Sequence, residues 1–222
     1  LIINVIENPI IQEVIINGLK RLEYRGYDSA GIATFDGTDI TSIKCAGKVS
    51  DLEKEINSNQ LIGSIGIGHT RWATHGRPNR INSHPHISSD GKIYLIHNGV
   101  IENYKSLKKF LINKSIIFKS ETDTEVLVQL ISYVYKKQNL SFEEAVKLAL
   151  SKVVGAYGVI IINKDNPNEL IAARKGSPVV IGIGENEHFI SSDASSIIEH
   201  TKNILYLDEN EIIFFKNNKY KV

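Results

Sequence analysis

The sequence predicts an α+β domain, on three observations. Short β-like runs arrive next to one another instead of alternating singly with helices. The two longest helical stretches each carry one apolar face, which suits a helix lying on a sheet. The 222 residues, 42% of them hydrophobic, suffice for one large domain with a real core.

The elements follow in order. Asn8-Pro9 reads as a helix cap followed by proline at the first helical position, and Ile11, Val14, Ile15, Leu19 and Leu22 recur at helical spacing, predicting a helix over 9–24. Runs at 32–35 and 40–44 around Gly37 predict a hairpin. Ser50 to Glu53 is a capping box expected to open a short helix, and the box recurs at Thr122 to Glu125 and at Ser141 to Glu144. Helical repeats follow the last two: Val126, Leu127, Leu130, Ile131 and Val134, then Ala145, Leu148, Ala149 and Val153. Further strands are expected at 65–67, 93–96, 159–162, 170–173, 179–183 and 212–215, separated by Gly, Asn and Pro turns. No internal repeat or low-complexity linker interrupts them.

Lys plus Arg number 26 against 25 Asp plus Glu, so the charge gives no reason to expect a nucleic acid or a membrane surface as partner. A small metabolite is the better expectation. Cys45 is the only cysteine, which excludes an internal disulfide and a CxxC metal site; with no secretory leader this predicts a reducing, cytoplasmic setting. No apolar run approaches the ~20 residues that span a bilayer. The sequons at Asn113 and Asn139 are then chance features of an Asn-rich chain. There is no methionine, so Leu1 is expected not to be the residue at which translation began.

Four stretches place polar residues and glycines where a core would want apolar ones: YRGYDSAG (24–31), HTRWATHG (69–76), HNG (97–99) and SETDTE (120–125). They are expected at the junctions of elements with loops, where binding groups are displayed. Arg71 could hold a carboxylate through two parallel hydrogen bonds or make a structural ion pair. Asp123, in a first helical turn, could bind a cation or merely favour its helix. Asn98-Gly99, expected at a strand end, could offer two donors to a developing oxyanion or form a simple turn. His69, His75, His84 and His86 match no metal-ligand pattern, and Gly63, Gly66 and Gly68 lack the ending of a phosphate loop.

Taken together with VGAYG (154–158) and RKGSP (174–178), these stretches resemble, in order and spacing, the glutaminase domain of the glucosamine-6-phosphate synthases, a type 2 glutamine amidotransferase. The resemblance runs from about residue 9 to the end. It implies an N-terminal-nucleophile hydrolase fold, a four-layer α/β/β/α sandwich of two antiparallel sheets, and one glutaminase domain over 1–222. It also implies hydrolysis of L-glutamine to glutamate and ammonia, with the ammonia passing to a sugar-isomerising domain, absent from these residues, that aminates fructose 6-phosphate. Arg71, with Thr74 and His75, would bind the substrate carboxylate, and Asp123 its ammonium. Asn98 and Gly99 would form the oxyanion hole, and Trp72 would sit in a loop closing over glutamine. Arg25 and Asp28 match positions that support that loop. Partners would be glutamine and the C-terminal isomerase domain, through which a homodimer would form; no cofactor or metal is implied.

The family's nucleophile is an N-terminal cysteine whose own α-amine serves as base, a sound arrangement because that amine titrates near ~7.7–8.0. Aligning the motifs places Leu1 one position after it, with Leu1, Asn4 and Glu7 where relatives carry glycine. Cys45, internal and in a segment that reads as a strand end, is expected to be a small apolar side chain instead. Trimming of the cysteine is the preferred explanation, beside omission or gene decay. The rival readings are a catalytically silent glutamine-binding module and the glutaminase domain of another amidotransferase of the class.

Overall fold

In a computed structural model of the protein, residues 2–5 are described as backbone, together with 11–57, 61–137, 139–166, 168–217 and 219–222. The elements run β1 (Ile2–Val5), α1 (Ile11–Leu22), β2 (Ser29–Phe35), β3 (Ile40–Ala46), α2 (Val49–Asn57), β4 (Ile65–Arg71), β5 (His86–Ile87), β6 (Ile93–Ile101) and α3 (Tyr104–Ile112). They continue with α4 (Asp123–Lys137), α5 (Phe142–Leu150), β7 (Gly155–Asn163), β8 (Glu169–Lys175), β9 (Val180–Ile183), β10 (His188–Ser191), β11 (Ile204–Tyr206), β12 (Ile212–Lys216) and β13 (Lys219–Lys221). One sheet is ordered β11-β9-β10-β1-β4-β2-β3 and the other β13-β12-β8-β7-β6-β5. The pairings between these strands are antiparallel.

Strand periodicity makes the layers. In β7, Ile160 and Ile162 turn inward to meet Ala33, Phe35, Ile67 and Ile181 of the other sheet, while Val159 and Ile161 turn outward under Leu127, Ile131 and Val146 of α4 and α5. In β2 the same alternation sends Ala33 and Phe35 inward and Ala30 and Ile32 outward, under Ile15 and Leu19 of α1 and Leu52 of α2. Both faces of both sheets are therefore buried, and the architecture is a four-layer α/β/β/α sandwich. Each fully buried Ile or Leu contributes about 1.5–3 kcal/mol of transfer free energy.

Gly66 and Gly68 let α1 lie close on β4: a Cβ on Gly66 would come within 2.6 Å of Ile15 Cδ1. They are strand glycines, with a packing reason for being glycine.

Several sequence expectations are corrected. The Asn8-Pro9 helix start lies outside the described residues, and the helix closes at Leu22, followed by a 3₁₀ turn at Glu23–Arg25. Ser50 lies inside α2 and does not cap it; the start is shifted upstream, where Asp51 Oδ2 accepts the Lys48 N–H at 3.2 Å and Glu23 Oε1 accepts the Val49 N–H at 2.8 Å. Thr122 does cap α4, through the Glu125 N–H at 3.1 Å. The Glu125 carboxylate, however, takes the Lys119 and Ser120 amides instead of closing a box. Only Ser141 and Glu144, of the three pairs, form the full reciprocal box. Strands β1, β5, β10, β11 and β13 and helix α3 were not anticipated. Cys45 is buried among Leu52, Ile43 and Ala30, and burial raises its thiol pKa.

Candidate active site

The two sheets part at one end around a cavity of about 280 Å³. Arg25, Arg71, Trp72, Thr74, His75, Asn98, Gly99 and Asp123 all line it; Asp28 does not. These residues come from the 3₁₀ turn after α1, the end of β4, the loop behind it, the middle of β6 and the start of α4.

Arg71 closes β4 and is buried. Its Nη2 donates to the carbonyls of His75 and, at 3.0 Å, Gly76, so the loop wraps around the guanidinium. Nη1 has no hydrogen-bond partner among the described residues and lies 3.9 Å from Asp28 Oδ1. Desolvation lowers the arginine pKa against the opposing pull of Asp28 and Asp123, and the group remains charged. A buried cation with an idle donor can take a ligand carboxylate without first breaking a protein contact. Asp28 faces the other side of the same loop: its Oδ2 accepts the Ala73 N–H and its Oδ1 the Ser29 hydroxyl at 2.9 Å.

Asp123 is the first residue of α4 and is buried. Its Oδ2 accepts the Ile101 N–H at 2.8 Å, and its Oδ1 stands 3.9 Å from His75 Nδ1. His75 meets Tyr104 edge-on at 4.8 Å. Glu121 and Asn82 bind one another, Asn82 Oδ1 accepting the Glu121 N–H at 3.0 Å, which pins the far end of the loop to the start of α4. Trp72 is exposed and packs edge-on against Tyr27 at the rim. Arg25 reaches Asp193 at 3.6 Å.

Asn98 and Gly99 do not end a strand: β6 continues to Ile101, and Gly99 pairs with Tyr157 inside the ladder. Gly99 alone of the two has positive φ, at 126°, and a Cβ there would strike the Ala156 carbonyl. The simple-turn alternative is thereby removed, and a strand carries both groups to the cavity wall.

Sequence reasoning assigned no role to the histidines beneath this wall. His69 Nε2 lies 2.8 Å from Asn98 Oδ1, His97 Nδ1 lies 3.0 Å from Thr124 Oγ1, and His86 Nε2 lies 3.1 Å from Thr122 Oγ1. His69 and His84 stack at 4.1 Å. Burial lowers the pKa of all four, His69 to about 3, so they are neutral at pH 7. Ser177 and Ser192, also on the wall, were missed as well, although Ser177 belongs to the RKGSP stretch.

A family profile described as a glutamine amidotransferase domain matches residues 69–199, the segment that carries most of this wall. The chain belongs to that family. Glutamine amidotransferase domains of this kind occur in longer proteins: the glutamine–fructose-6-phosphate aminotransferase (isomerizing) of Bacteroides thetaiotaomicron is 52% identical over 207 residues, 93% of this chain but 34% of that protein. Its Chlorobaculum tepidum namesake is 47% identical over 213 residues, 94% of this chain and 34% of the other. The chain thus spans about a third of the length of these curated relatives. Among solved structures, the glutamine phosphoribosylpyrophosphate amidotransferase of B. subtilis superposes with a TM-score of 0.85 at 26% identity, covering 99% of this chain and 48% of that one. A class-II glutamine aminotransferase domain protein from Silicibacter pomeroyi shares the fold, with a TM-score of 0.65 at 16% identity, over 99% of this chain and 96% of its own.

Proposed function

We propose that the cavity binds L-glutamine and that the domain hydrolyses its side-chain amide, with the ammonia used in the longer protein to convert fructose 6-phosphate to glucosamine 6-phosphate. One observation carries the reading: a buried guanidinium nitrogen with no hydrogen bond among the described residues, Arg71 Nη1, and a buried carboxylate oxygen, Asp123 Oδ1, face the same cavity as Asn98 and Gly99. The first two are what the ends of a zwitterion require, and the last two are donors suited to an amide oxygen that gains negative charge. Thr74 and His75 assist Arg71, Trp72 covers the bound substrate, and Arg25 and Asp28 hold the mouth and the loop. The sugar assignment follows identity: the relatives named for the fructose-6-phosphate reaction stand at 52% and 47%, the phosphoribosylpyrophosphate enzyme at 26%.

Hydrolysis also needs a nucleophile. Strand β1 runs antiparallel to β4 with Ile2 opposite Gly68 and Val5 opposite Ile65, so its N-terminal end points toward the His69–Arg71 end of β4. A cysteine preceding Leu1 in the encoded protein would supply the thiolate there, and its α-amine the base. The C-terminal remainder of the protein would hold the isomerase and form the homodimer. Reading the codons upstream of Leu1 and measuring glutamate formation by the encoded protein tests this. A cysteine codon directly before Leu1 with alkylation-sensitive activity is expected; another residue with glutamine binding alone would leave a silent binding module.

A further inference from the structure

Asn98 can donate to a developing oxyanion only if its amide turns Nδ2 toward the cavity, and an asparagine side chain can present either end. Its Oδ1 faces Nε2 of His69 at 2.8 Å. The His69 ring is buried and stacked on His84, with planes 14° apart. His84 is itself fixed: its Nδ1 accepts the backbone N–H of His97 at 3.3 Å, and Lys44 Nζ donates to the carbonyls on either side of it, Ser83 at 2.8 Å and Pro85 at 3.3 Å. The His69 ring therefore cannot swing away without moving His84.

Burial keeps the His69 ring neutral, so it carries a single N–H. Its Nδ1 is buried, and among the described residues no hydrogen bond of good geometry reaches it. A proton on Nδ1 would strand a buried donor and turn the asparagine so that its carbonyl oxygen faced the cavity. A proton on Nε2 strands only a lone pair, the smaller penalty. We infer that His69 is a positioning residue for Asn98: its Nε2–H holds Oδ1 and thereby aims the Nδ2 donor into the cavity. The purpose of that donor rests on the glutaminase reading; the hydrogen bond and its direction do not.

The test uses the full encoded protein and four variants. His69→Leu removes the donor, and His69→Gln keeps one. His69→Leu should lower kcat for glutamine hydrolysis by about ten- to a hundredfold while KM stays within about twofold. His69→Gln should recover part of the loss. The double variant His69→Leu/Asn98→Ala should fall no further than Asn98→Ala alone, because His69 acts only through Asn98. Losses that multiply in the double variant, or a defect confined to KM, overturn the inference. Histidine labelled with ¹⁵N in the ring, with the His69 signal assigned by its loss in His69→Gln, gives an independent readout. A protonated Nε2 supports the inference, and a protonated Nδ1 overturns it. This second readout holds in a protein that forms no glutamate at all, so failure of the glutaminase reading and failure of the positioning role are told apart.

Discussion

Asp123 accepts the backbone N–H of Ile101 on one carboxylate oxygen at 2.8 Å, so a residue that faces the cavity is also built into the joint between β6 and α4. The two roles separate by substitution. Asp123→Asn keeps an acceptor for Ile101 but removes the charge. It should weaken glutamine binding by about tenfold to a hundredfold, the equivalent of about 1.5–3 kcal/mol for a charge-assisted bond, with little change in melting temperature. Asp123→Ala should lose the acceptor as well and be destabilised by about 1–3 kcal/mol. Calorimetry and thermal melts on both variants check it; unchanged affinity in Asp123→Asn would leave Asp123 a structural residue only.

Asn98→Ala, in a form carrying a cysteine directly before Leu1, should lower kcat by about 10²–10³ and leave KM for glutamine nearly unchanged, because an oxyanion donor acts on charge that appears in the transition state. Steady-state glutamate production decides it. A raised KM with normal kcat would move Asn98 from transition-state stabilisation to substrate recognition.

How much of this was legible in the sequence can be read from particular residues. The run Val159 to Ile162 announces a strand, but four consecutive apolar residues do not say that two of them face a second sheet and two face helices; that split exists only once both layers are in place. Helix α1 was legible because one side of it is solvent and the 3.6-residue period survives. The single apolar face expected for α4 is corrected: from Asp123 to Ser132 that helix is buried on every side, packed between the sheet and its neighbouring helices, so its polar residues there are interior ones. Strand β10, four residues containing His188 and Ser191, is held by its neighbours β1 and β9 and has no signal of its own. At the site, HNG has the composition of a turn, yet the neighbouring strands hold it in the β6 ladder with Gly99 at positive φ. His69 was visible inside HTRWATHG, but its hydrogen bond to Asn98 joins two different sheets, and spacing along the chain carries no trace of that.

The buried histidines set an acid limit on stability. His69, His84, His86 and His97 have folded-state pKa values depressed by burial below the ordinary ~6.5. Below pH ~6.5 the unfolded chain binds protons that the folded chain refuses. Stability is therefore fully present above that pH and is lost as pH falls, by about 1.4 kcal/mol per unit for each ring that stays neutral. The three rings held well below that value, His69, His84 and His86, together approach about 4 kcal/mol per unit, against a total stability of order 5–15 kcal/mol. Unfolding should thus begin near pH ~5, above the range in which carboxylates with lowered pKa, such as Asp36, Asp51 and Asp90, take up protons. Urea titrations at pH 7.5, 6.5 and 5.5 check the slope; a flat profile would mean that these rings are charged in the folded protein.

Recognition and chemistry should come apart in a polypeptide of residues 1–222 alone. The fold stands as nearly a whole chain in the Silicibacter pomeroyi protein, of which this chain covers 96%, so the domain is a reasonable unit to produce separately. Arg71, Thr74, His75, Asn98 and Asp123 are all present on its cavity wall, and glutamine should bind. Its one thiol, Cys45, is buried in the layer between β2, β3 and α2, with a pKa raised by burial, so it offers neither thiolate nor access. A terminal amine at Leu1 could activate water, but without covalent attack the barrier should stay close to that of the uncatalysed reaction. Placing one cysteine ahead of Leu1, with the initiator methionine removed, should restore ammonia release, at a rate limited by the bulk of the leucine side chain beside the new terminus. Glutamate formation by both polypeptides, with and without thiol alkylation, measures the difference. Alkylation-resistant activity in residues 1–222 would sink the reading, since some group other than an N-terminal cysteine would then be carrying out the hydrolysis.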